Sequence, residues 1–205
     1  MALKRYTASA DTTIANAYRP DLSTRATGAN MGASDVLDVF SIYGRYSTSS
    51  AELSRALVQF PITDISTDRT SDLIPASGSV NFYLRMFNAS HTKTVPKDAK
   101  YVFMMVSQSW QEGVGLDMES YKDLTLGGEG SNWMSASDSL YWKDSLDTLL
   151  AGGSYHTYSG GSNKQVDTPI YIFNQTLADG TEDVEIDITP WVEQWIAGTY
   201  SNYGI

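Results

Sequence analysis

Two segments of the chain alternate strictly between apolar and polar residues. In residues 79–87 an apolar side chain falls at every second position around Leu84, and in residues 183–189 Ile186 and Ile188 alternate with carboxylates. A period of two is typical of a strand that buries one face. We therefore predict a strand in each segment. The residues predicted on the exposed face of the last strand are Asp183, Glu185 and Asp187.

Four further segments are predicted as strands because they are rich in Val, Ile, Phe and Tyr and are bounded by turn-forming residues. They are residues 35–43, 55–60, 101–107 and 169–176. Apolar residues on both faces of 55–60 and 101–107 indicate the central strands of a sandwich. The sequence thus predicts an all-β fold, with residues 1–205 forming a single β-sandwich domain. The predicted core residues are Phe60, Phe82, Leu84, Val106, Trp110, Ile186, Ile188 and Trp195.

One short helix is predicted near the C-terminus. Thr189 suits its N-cap, Pro190 its first helical position and Gly198 its end. Trp191 and Trp195 would share its buried face. The Ser- and Thr-rich residues 47–54 and 63–71 are predicted as connections between strands.

A Gly-rich loop insertion covers residues 113–166. It is longer than a passive connection in a compact domain requires, so we expect it to carry function as a surface hairpin or a partner contact. Its aromatic residues show no alternation that would bury them. Exposed rings would contact a protein partner or stack on sugar rings, whereas buried rings would fill the end of the sandwich beneath the loop. The aromatic residues predicted as partner or glycan contacts are Trp133, Tyr141, Trp142, Tyr155 and Tyr158.

Composition excludes several classes of protein. The 205-residue chain has a formal net charge of −10 and no Cys, so disulfides, Cys-ligated zinc, iron–sulfur clusters and thiol catalysis are excluded. The negative charge argues against a nucleic-acid partner, because clustered Lys and Arg provide affinity for phosphates. The longest apolar run, residues 101–106, is far shorter than the about 20 residues of a membrane-spanning helix. No apolar stretch typical of a signal peptide follows the basic N-terminus.

The sequence contains no recognisable catalytic motif. His91 and His156 are distant in sequence from any carboxylate and are interpreted as ordinary surface residues, and no nucleophile elbow, zinc-binding helix or phosphate-binding loop occurs. We therefore predict no catalytic residue, no metal and no cofactor.

A cluster of carboxylates begins the Gly-rich insertion. Its members are Glu112, Asp117, Glu119 and Asp123. They would form a solvated loop or hydrogen-bonded turn, a Ca²⁺ site, or the acid and base of a glycoside hydrolase. The first interpretation is favoured, because any chain with 24 acidic residues contains such a cluster.

Five motifs occur in a characteristic order along the chain. They are Ala-Asp-Thr-Thr-Ile near the start, Arg-Ala-Leu-Val-Gln-Phe at 55–60, Ile-Pro-Ala-Ser-Gly-Ser-Val-Asn-Phe-Tyr-Leu at 74–84, Val-Ser-Gln-Ser-Trp-Gln-Glu-Gly at 106–113, and Val-Glu-Ile-Asp-Ile-Thr-Pro-Trp-Val-Glu-Gln-Trp-Ile-Ala-Gly at 184–198, followed by Asn-Tyr-Gly-Ile at 202–205. In this order they resemble the DNRLRE module of disaggregatase-related repeats. The resemblance spans the chain apart from residues 113–166.

The resemblance implies a jelly-roll-like antiparallel β-sandwich, similar to carbohydrate-binding modules and without catalytic residues. Two departures from the family pattern bear on function. Family members normally follow a signal peptide, which is missing here, and this indicates a bacteriophage virion protein made in the host cytoplasm. The family pattern also continues into another strand beyond residue 205. We therefore expect the open sheet edge to be paired by more of the polypeptide or by a neighbouring subunit, as in a homo-oligomer.

These observations favour a bacteriophage virion structural protein, such as a capsid decoration, neck or tail/fibre component, that contacts other virion proteins. The alternative is a carbohydrate-binding module that recognises a host surface glycan through the loop aromatics. A depolymerase that uses Glu112 and Asp117 as acid and base is the third hypothesis.

Overall fold

The computed structural model describes residues 3–43, 51–90, 97–117, 130–156 and 172–205. Within these ranges the chain is built mainly of strands in small antiparallel sheets, with two short helices. Neither of the described helices has the length and hydrophobicity that a membrane span requires. The chain divides into two compact units, each assembled from three separate stretches.

The first unit comprises Met1–Thr7, Pro61–Met105 and His156–Asn202. Strands and helices are numbered in chain order over both units. The elements of the first unit are α1 (Ile62–Thr70), β4 (Tyr83–Met86), β5 (Ala99–Phe103), β8 (Phe173–Leu177), β9 (Val184–Asp187) and α2 (Thr189–Ile196). β4 pairs with β9 and β5 with β8, both antiparallel. The side chain of Gln175 on β8 joins these two ladders, since it donates to the carbonyl of Asp183 and accepts from the N–H of Glu185, both at 3.0 Å.

The buried face of the β4–β9 ladder carries the predicted alternation. Leu84 and Ile186 are partners in register and both are buried, which confirms the strands predicted at 79–87 and 183–189. α2 buries Trp191 and Trp195 as predicted. The ring of Phe173 meets Trp191 edge-on at 4.7 Å between centroids.

The ends of α2 agree with the prediction in part. Gly198, with a φ of +70°, follows the C-cap and donates to the carbonyl of Trp195, which is the αL termination that glycine favours. The N-cap is Ile188 rather than Thr189. The hydroxyl of Thr189 instead accepts the N–H of Phe82 at 2.7 Å, so it ties α2 to the start of β4.

The second unit comprises Ala8–Phe60, Val106–Tyr155 and Tyr203–Ile205. Its elements are β1 (Ala10–Ala15), β2 (Ser41–Tyr43), β3 (Ala51–Gln59), β6 (Ser135–Ser137) and β7 (Leu140–Tyr141). β3 lies between β1 and β2 in a three-stranded antiparallel sheet, and β6 pairs with β7. The core cluster of this unit is Ile14, Leu57, Val106, Trp133, Ala136 and Trp142.

Residues 203–205 extend the sheet beyond β3. Ile205 exchanges both backbone hydrogen bonds with Val58, at 2.9 and 3.0 Å, and the carbonyl of Gly204 accepts the N–H of Val106 at 2.9 Å. Val106 in turn bridges to Tyr155. One side of β3 is therefore paired at Val58 by these residues. The expectation of an open sheet edge paired by further polypeptide or a neighbouring subunit stays a prediction.

Several predictions about local structure are wrong. Residues 47–54 were predicted as a connection, but the last four of them begin β3. Residues 63–71 were predicted as a connection, but most of them form the second helix, α1, so the prediction of a single helix fails. Phe60, Phe82 and Trp110 are only partly buried, unlike the five other predicted core residues. The bounds of the Gly-rich insertion at 113–166 stay a prediction. Its described part contains β6 and β7 and contributes to the core of the second unit.

Candidate functional site

A buried hydrogen-bond cluster surrounds the side chain of Asn30 in the second unit. Its Nδ2 donates to the carbonyls of Glu112 and Ser131, at 2.7 and 2.8 Å. Its Oδ1 accepts the N–H of Gly115 at 2.8 Å and that of Gly32 at 3.2 Å. Both amide hydrogens and the amide oxygen are satisfied, as burial of a polar side chain requires. One side chain thus ties four points of the backbone together.

The two described members of the predicted carboxylate cluster bond to different parts of the backbone. Oδ2 of the buried Asp117 accepts the N–H of Asn30, and Oε1 of Glu112 accepts the N–H of Asp11, both at 2.8 Å. The favoured interpretation of a solvated loop or hydrogen-bonded turn is wrong for these two residues, because each bonds to a residue more than 80 positions away in sequence. Glu119 and Asp123 lie outside the described residues. Among those described, no three Asp, Glu or His side chains are grouped so that they could hold a metal ion.

Asp11 and Glu112 are the acidic neighbours in this region. Burial, and then the negative charge of Glu112, raise the pKa of Asp11. Both causes disfavour the ionised form of Asp11. The backbone N–H of Asp11, on β1, donates to the carboxylate of Glu112. Glu112 therefore satisfies a backbone donor at the edge of the sheet.

Glycine makes the close approach of these loops possible. A Cβ at Gly115 would lie 2.5 Å from the carbonyl oxygen of Asn30, and a Cβ at Gly130 would lie 2.5 Å from Cα of Gly113. Gly130 also has a φ of +108°, which other residues rarely adopt. Gly115 and Gly130 therefore allow close packing around Asn30.

The two indole rings predicted as contacts are buried. Trp142 is fully buried and its Nε1 donates to the carbonyl of Asn132 at 2.8 Å, while Trp133 lies in the same cluster. The prediction that these rings contact a partner or glycan is therefore wrong for both. They fill the core beneath the β6–β7 hairpin, and a buried Trp with a bonded N–H is a stable arrangement.

Arg55 lies against two of the predicted aromatic residues. Its guanidinium carbon lies 5.2 Å from the ring centre of Trp133 and 5.1 Å from that of Tyr155. Its Nη1 also donates to the carbonyl of Gly152. These distances are within cation–π range. The arginine of the 55–60 motif thus fixes the segment that carries Tyr155.

No family model, curated protein or solved structure matches this chain. Its resemblance to the DNRLRE module stays a prediction. Tyr141 is exposed, Tyr155 is half-buried against Arg55, and Tyr158 lies outside the described residues. A role of these tyrosines in binding likewise stays a prediction.

Of the two histidines, the structure describes His156 but not His91. His156 is partly buried and its ring meets Tyr200 edge-on at 5.0 Å between centroids, so the prediction of an ordinary surface residue is wrong. Burial lowers the pKa of His156 and raises that of Tyr200. Both rings therefore remain neutral near pH 7.

An exposed aromatic face on the first unit was not predicted as a site. Tyr83 on β4 is 53% exposed and Phe87, just beyond the strand, is 75% exposed. Asp183, Glu185 and Asp187 are exposed on the neighbouring segment as predicted. The alternation in residues 79–87 already placed Tyr83 and Phe87 opposite the buried Leu84, and this was the signal that could have identified them.

Proposed function

We propose that the protein is a bacteriophage virion structural protein, a capsid decoration, neck or tail/fibre component that acts through protein–protein assembly contacts. Residues of the resembled motifs make contacts that stabilise the fold, and this supports a structural role for the protein. Arg55 braces Trp133 and Tyr155, Nε1 of Trp110 donates to the carbonyl of Tyr203 at 2.7 Å, and Glu112 accepts a bond from β1. A jelly-roll-like sandwich is part of the same proposal.

The observation that carries the proposal is a concentration of exposed apolar side chains on the β6–β7 hairpin and the turn after it. They are Met134, Leu140, Tyr141, Leu146 and Leu149, together called the hairpin surface. The segments that carry them adjoin, because Ser135 pairs with Tyr141 and Lys143 bridges to Leu149. Apolar side chains exposed together mark contact surfaces for proteins.

The rigid attachment of the hairpin surface suits an assembly contact. Trp142 follows β7 and anchors it in the core, and the backbone N–H of Trp142 donates to the carbonyl of Met134 at 3.3 Å. Oδ1 of Asp144 accepts the N–H groups of Leu146 and Thr148, both at 2.8 Å, which fixes the turn. A preorganised surface loses little conformational entropy when it binds. We assign its occupant as a neighbouring virion subunit, either another virion protein or a second copy of this chain.

The test is incorporation into particles. Phage particles from a strain lacking the gene would be complemented with wild type, with Leu146→Ser plus Leu149→Ser, or with Leu73→Ser, and then purified and quantified by mass spectrometry. Leu73 is a matched control, since it is 65% exposed and Leu149 is 62% exposed. We expect wild type and L73S in the particles and at least about tenfold less of the double variant.

Absence of the wild-type chain from purified particles would refute the virion role. Full occupancy by the double variant would instead refute the hairpin surface as the contact. Far-ultraviolet circular dichroism of each purified variant checks that it is folded. The alternative proposal, glycan binding through the loop aromatics, is weakened because Trp133 and Trp142 are buried.

A further inference from the structure

The exposed face of the β4–β9 ladder carries aromatic and planar polar side chains in one row. Along and around β4, Asn81, Tyr83, Arg85 and Phe87 lie at alternate positions. Nδ2 of Asn81 lies 3.4 Å from the hydroxyl oxygen of Tyr83, and the guanidinium of Arg85 lies 5.8 Å from the ring centre of Phe87. The alternation along β4 places Tyr83 and Arg85 on one face, and these contacts bring Asn81 and Phe87 to them. At the spacing of an extended chain, Tyr83 and Phe87 are about 13 Å apart.

Arg85 on this face forms an ion pair, and the neighbouring carboxylates accept hydrogen bonds. Arg85 Nε bonds Oε2 of its register partner Glu185 at 2.9 Å. Asp187, the partner of Tyr83, accepts from Nδ2 of Asn81 at 3.2 Å through Oδ2 and from the N–H of Thr189 at 2.9 Å through Oδ1. Asp183, two positions before Glu185, is exposed on the same face and accepts the N–H of Asn88 at 2.9 Å. The face therefore presents a neutral Arg–Glu pair and two further carboxylates, Asp183 and Asp187, and no unbalanced positive charge.

This charge pattern discriminates between classes of occupant. An anionic chain would meet Asp187 and Glu185 with one guanidinium that is already bonded, so like-charge repulsion opposes it. An apolar protein surface would strip water from the Arg85–Glu185 pair without replacing its hydrogen bonds, and that desolvation is costly. A neutral polyhydroxyl ligand avoids both penalties, because each hydroxyl can donate to a carboxylate and accept from the guanidinium.

We propose that this face binds a neutral oligosaccharide. The apolar C–H faces of two sugar rings pack on Tyr83 and Phe87, and the hydroxyls between them bond to Arg85, Glu185 and Asp187. The separation of the two rings suits a short chain rather than a single sugar. This surface belongs to a different unit from the hairpin surface, and the proposal does not depend on a role in the virion.

The experiment is a glycan array probed with the full 205-residue chain. The array carries neutral oligosaccharides, namely glucans, galactans and N-acetylglucosamine oligomers, beside sialylated and uronate-containing ones. The variants are Tyr83→Ala, Phe87→Ala and the control Leu73→Ala. Leu73 is 65% exposed, between Tyr83 at 53% and Phe87 at 75%, and it lies in the same unit, so the control removes a comparably exposed apolar side chain.

We expect the wild type and L73A to bind at least one neutral oligosaccharide. Y83A and F87A should each weaken that binding at least about tenfold, as measured by calorimetry with the oligosaccharide identified on the array. Phe87 lies outside the strand, so F87A provides a test in a folded chain even if Y83A disturbs β4. No binding to any neutral oligosaccharide, preferential binding to anionic ones, or binding insensitive to Y83A and F87A would overturn the proposal. Loss of binding in L73A alone would place the site elsewhere on the protein and would also overturn the proposal.

Discussion

Asn30 and Asp117 are joined by two hydrogen bonds that run in opposite directions. The N–H of Asn30 donates to Oδ2 of Asp117 at 2.8 Å, and the N–H of Asp117 donates to the carbonyl of Asn30 at 3.2 Å. Both residues are buried. Since the Asn30 side chain also holds four other backbone groups, this pair is where the start of the Gly-rich insertion is attached to the first loop of the second unit.

Asn30→Ala should therefore destabilise the protein strongly. The substitution leaves two buried carbonyls and two N–H groups without the bonds that the amide makes. We expect a loss of about 3 to 5 kcal/mol, because each unsatisfied buried group is costly. Urea unfolding followed by circular dichroism measures it. Asn174→Ala, which removes an exposed amide, should leave the midpoint nearly unchanged. Equal midpoints for the two variants would show that the Asn30 bonds contribute nothing.

Adjacent aromatic residues in β7 and just after it should respond in opposite ways to truncation. Trp142 is fully buried, whereas Tyr141 is exposed. Trp142→Ala should cost about 3 to 5 kcal/mol, because it removes a large core side chain and leaves the carbonyl of Asn132 without its donor. Tyr141→Ala should change the unfolding free energy by less than about 0.5 kcal/mol. Urea unfolding of both variants compares them directly, and a small effect of W142A would contradict the core position of its ring.

Local patterns predicted the elements whose stability is decided locally. The alternation around Leu84 and Ile186 and the Thr-Pro start of α2 were sufficient, since one buried face determines each element. α1 was missed because its Ser, Thr and Asp residues have low helix propensity. It buries Ile65 and is held by the bidentate bond of Arg69 to Glu193, at 2.6 and 2.8 Å. That bond is a tertiary contact that no local pattern reveals.

The candidate site was less predictable than the fold for a related reason. The burial of Trp133 and Trp142 depends on packing against Ile14 and Leu57, which are distant in sequence. A Gly-rich segment without alternation gives no indication of such packing. The exposed face with Tyr83 follows from the predicted strand, but alternation alone does not distinguish a solvated face from one that binds a ligand.

Gly204→Ala should reveal how tightly residues 203–205 fit against β3. Gly204 has a φ of +86°, and a Cβ there would overlap the carbonyl oxygen of Val58. We expect a loss of about 2 to 3 kcal/mol from strain and from disturbed pairing of Ile205 with Val58. Gly198→Ala keeps a positive φ but has open space around its Cβ, so it should cost about 1 kcal/mol. Gly28→Ala has neither constraint and should be neutral. Thermal unfolding gives the midpoint temperature of each of the three variants. A midpoint of G204A at or above that of G198A would rule out the steric argument.

The Arg69–Glu193 ion pair makes the stability of the first unit depend on pH. The hydrogen bonds from Arg69 lower the pKa of Glu193. Because this pKa is lower in the folded chain, the pair stabilises the fold above the ordinary glutamate value of 4.5, and the stabilisation is lost as the pH falls below it.

Glu193→Gln should thus cost about 1 to 2 kcal/mol near pH 7, and the difference from wild type should shrink as the pH approaches about 3. Glu185→Gln is the control, since its bond to Arg85 is exposed to solvent and should contribute little at any pH. Urea unfolding of the three proteins across this range measures both differences. The other titrating groups are common to wild type and E193Q, so their contributions to the difference in unfolding free energy cancel. If that difference stays constant from pH 7 to pH 3, the charge of the Glu193 carboxylate is not what holds α1 to α2.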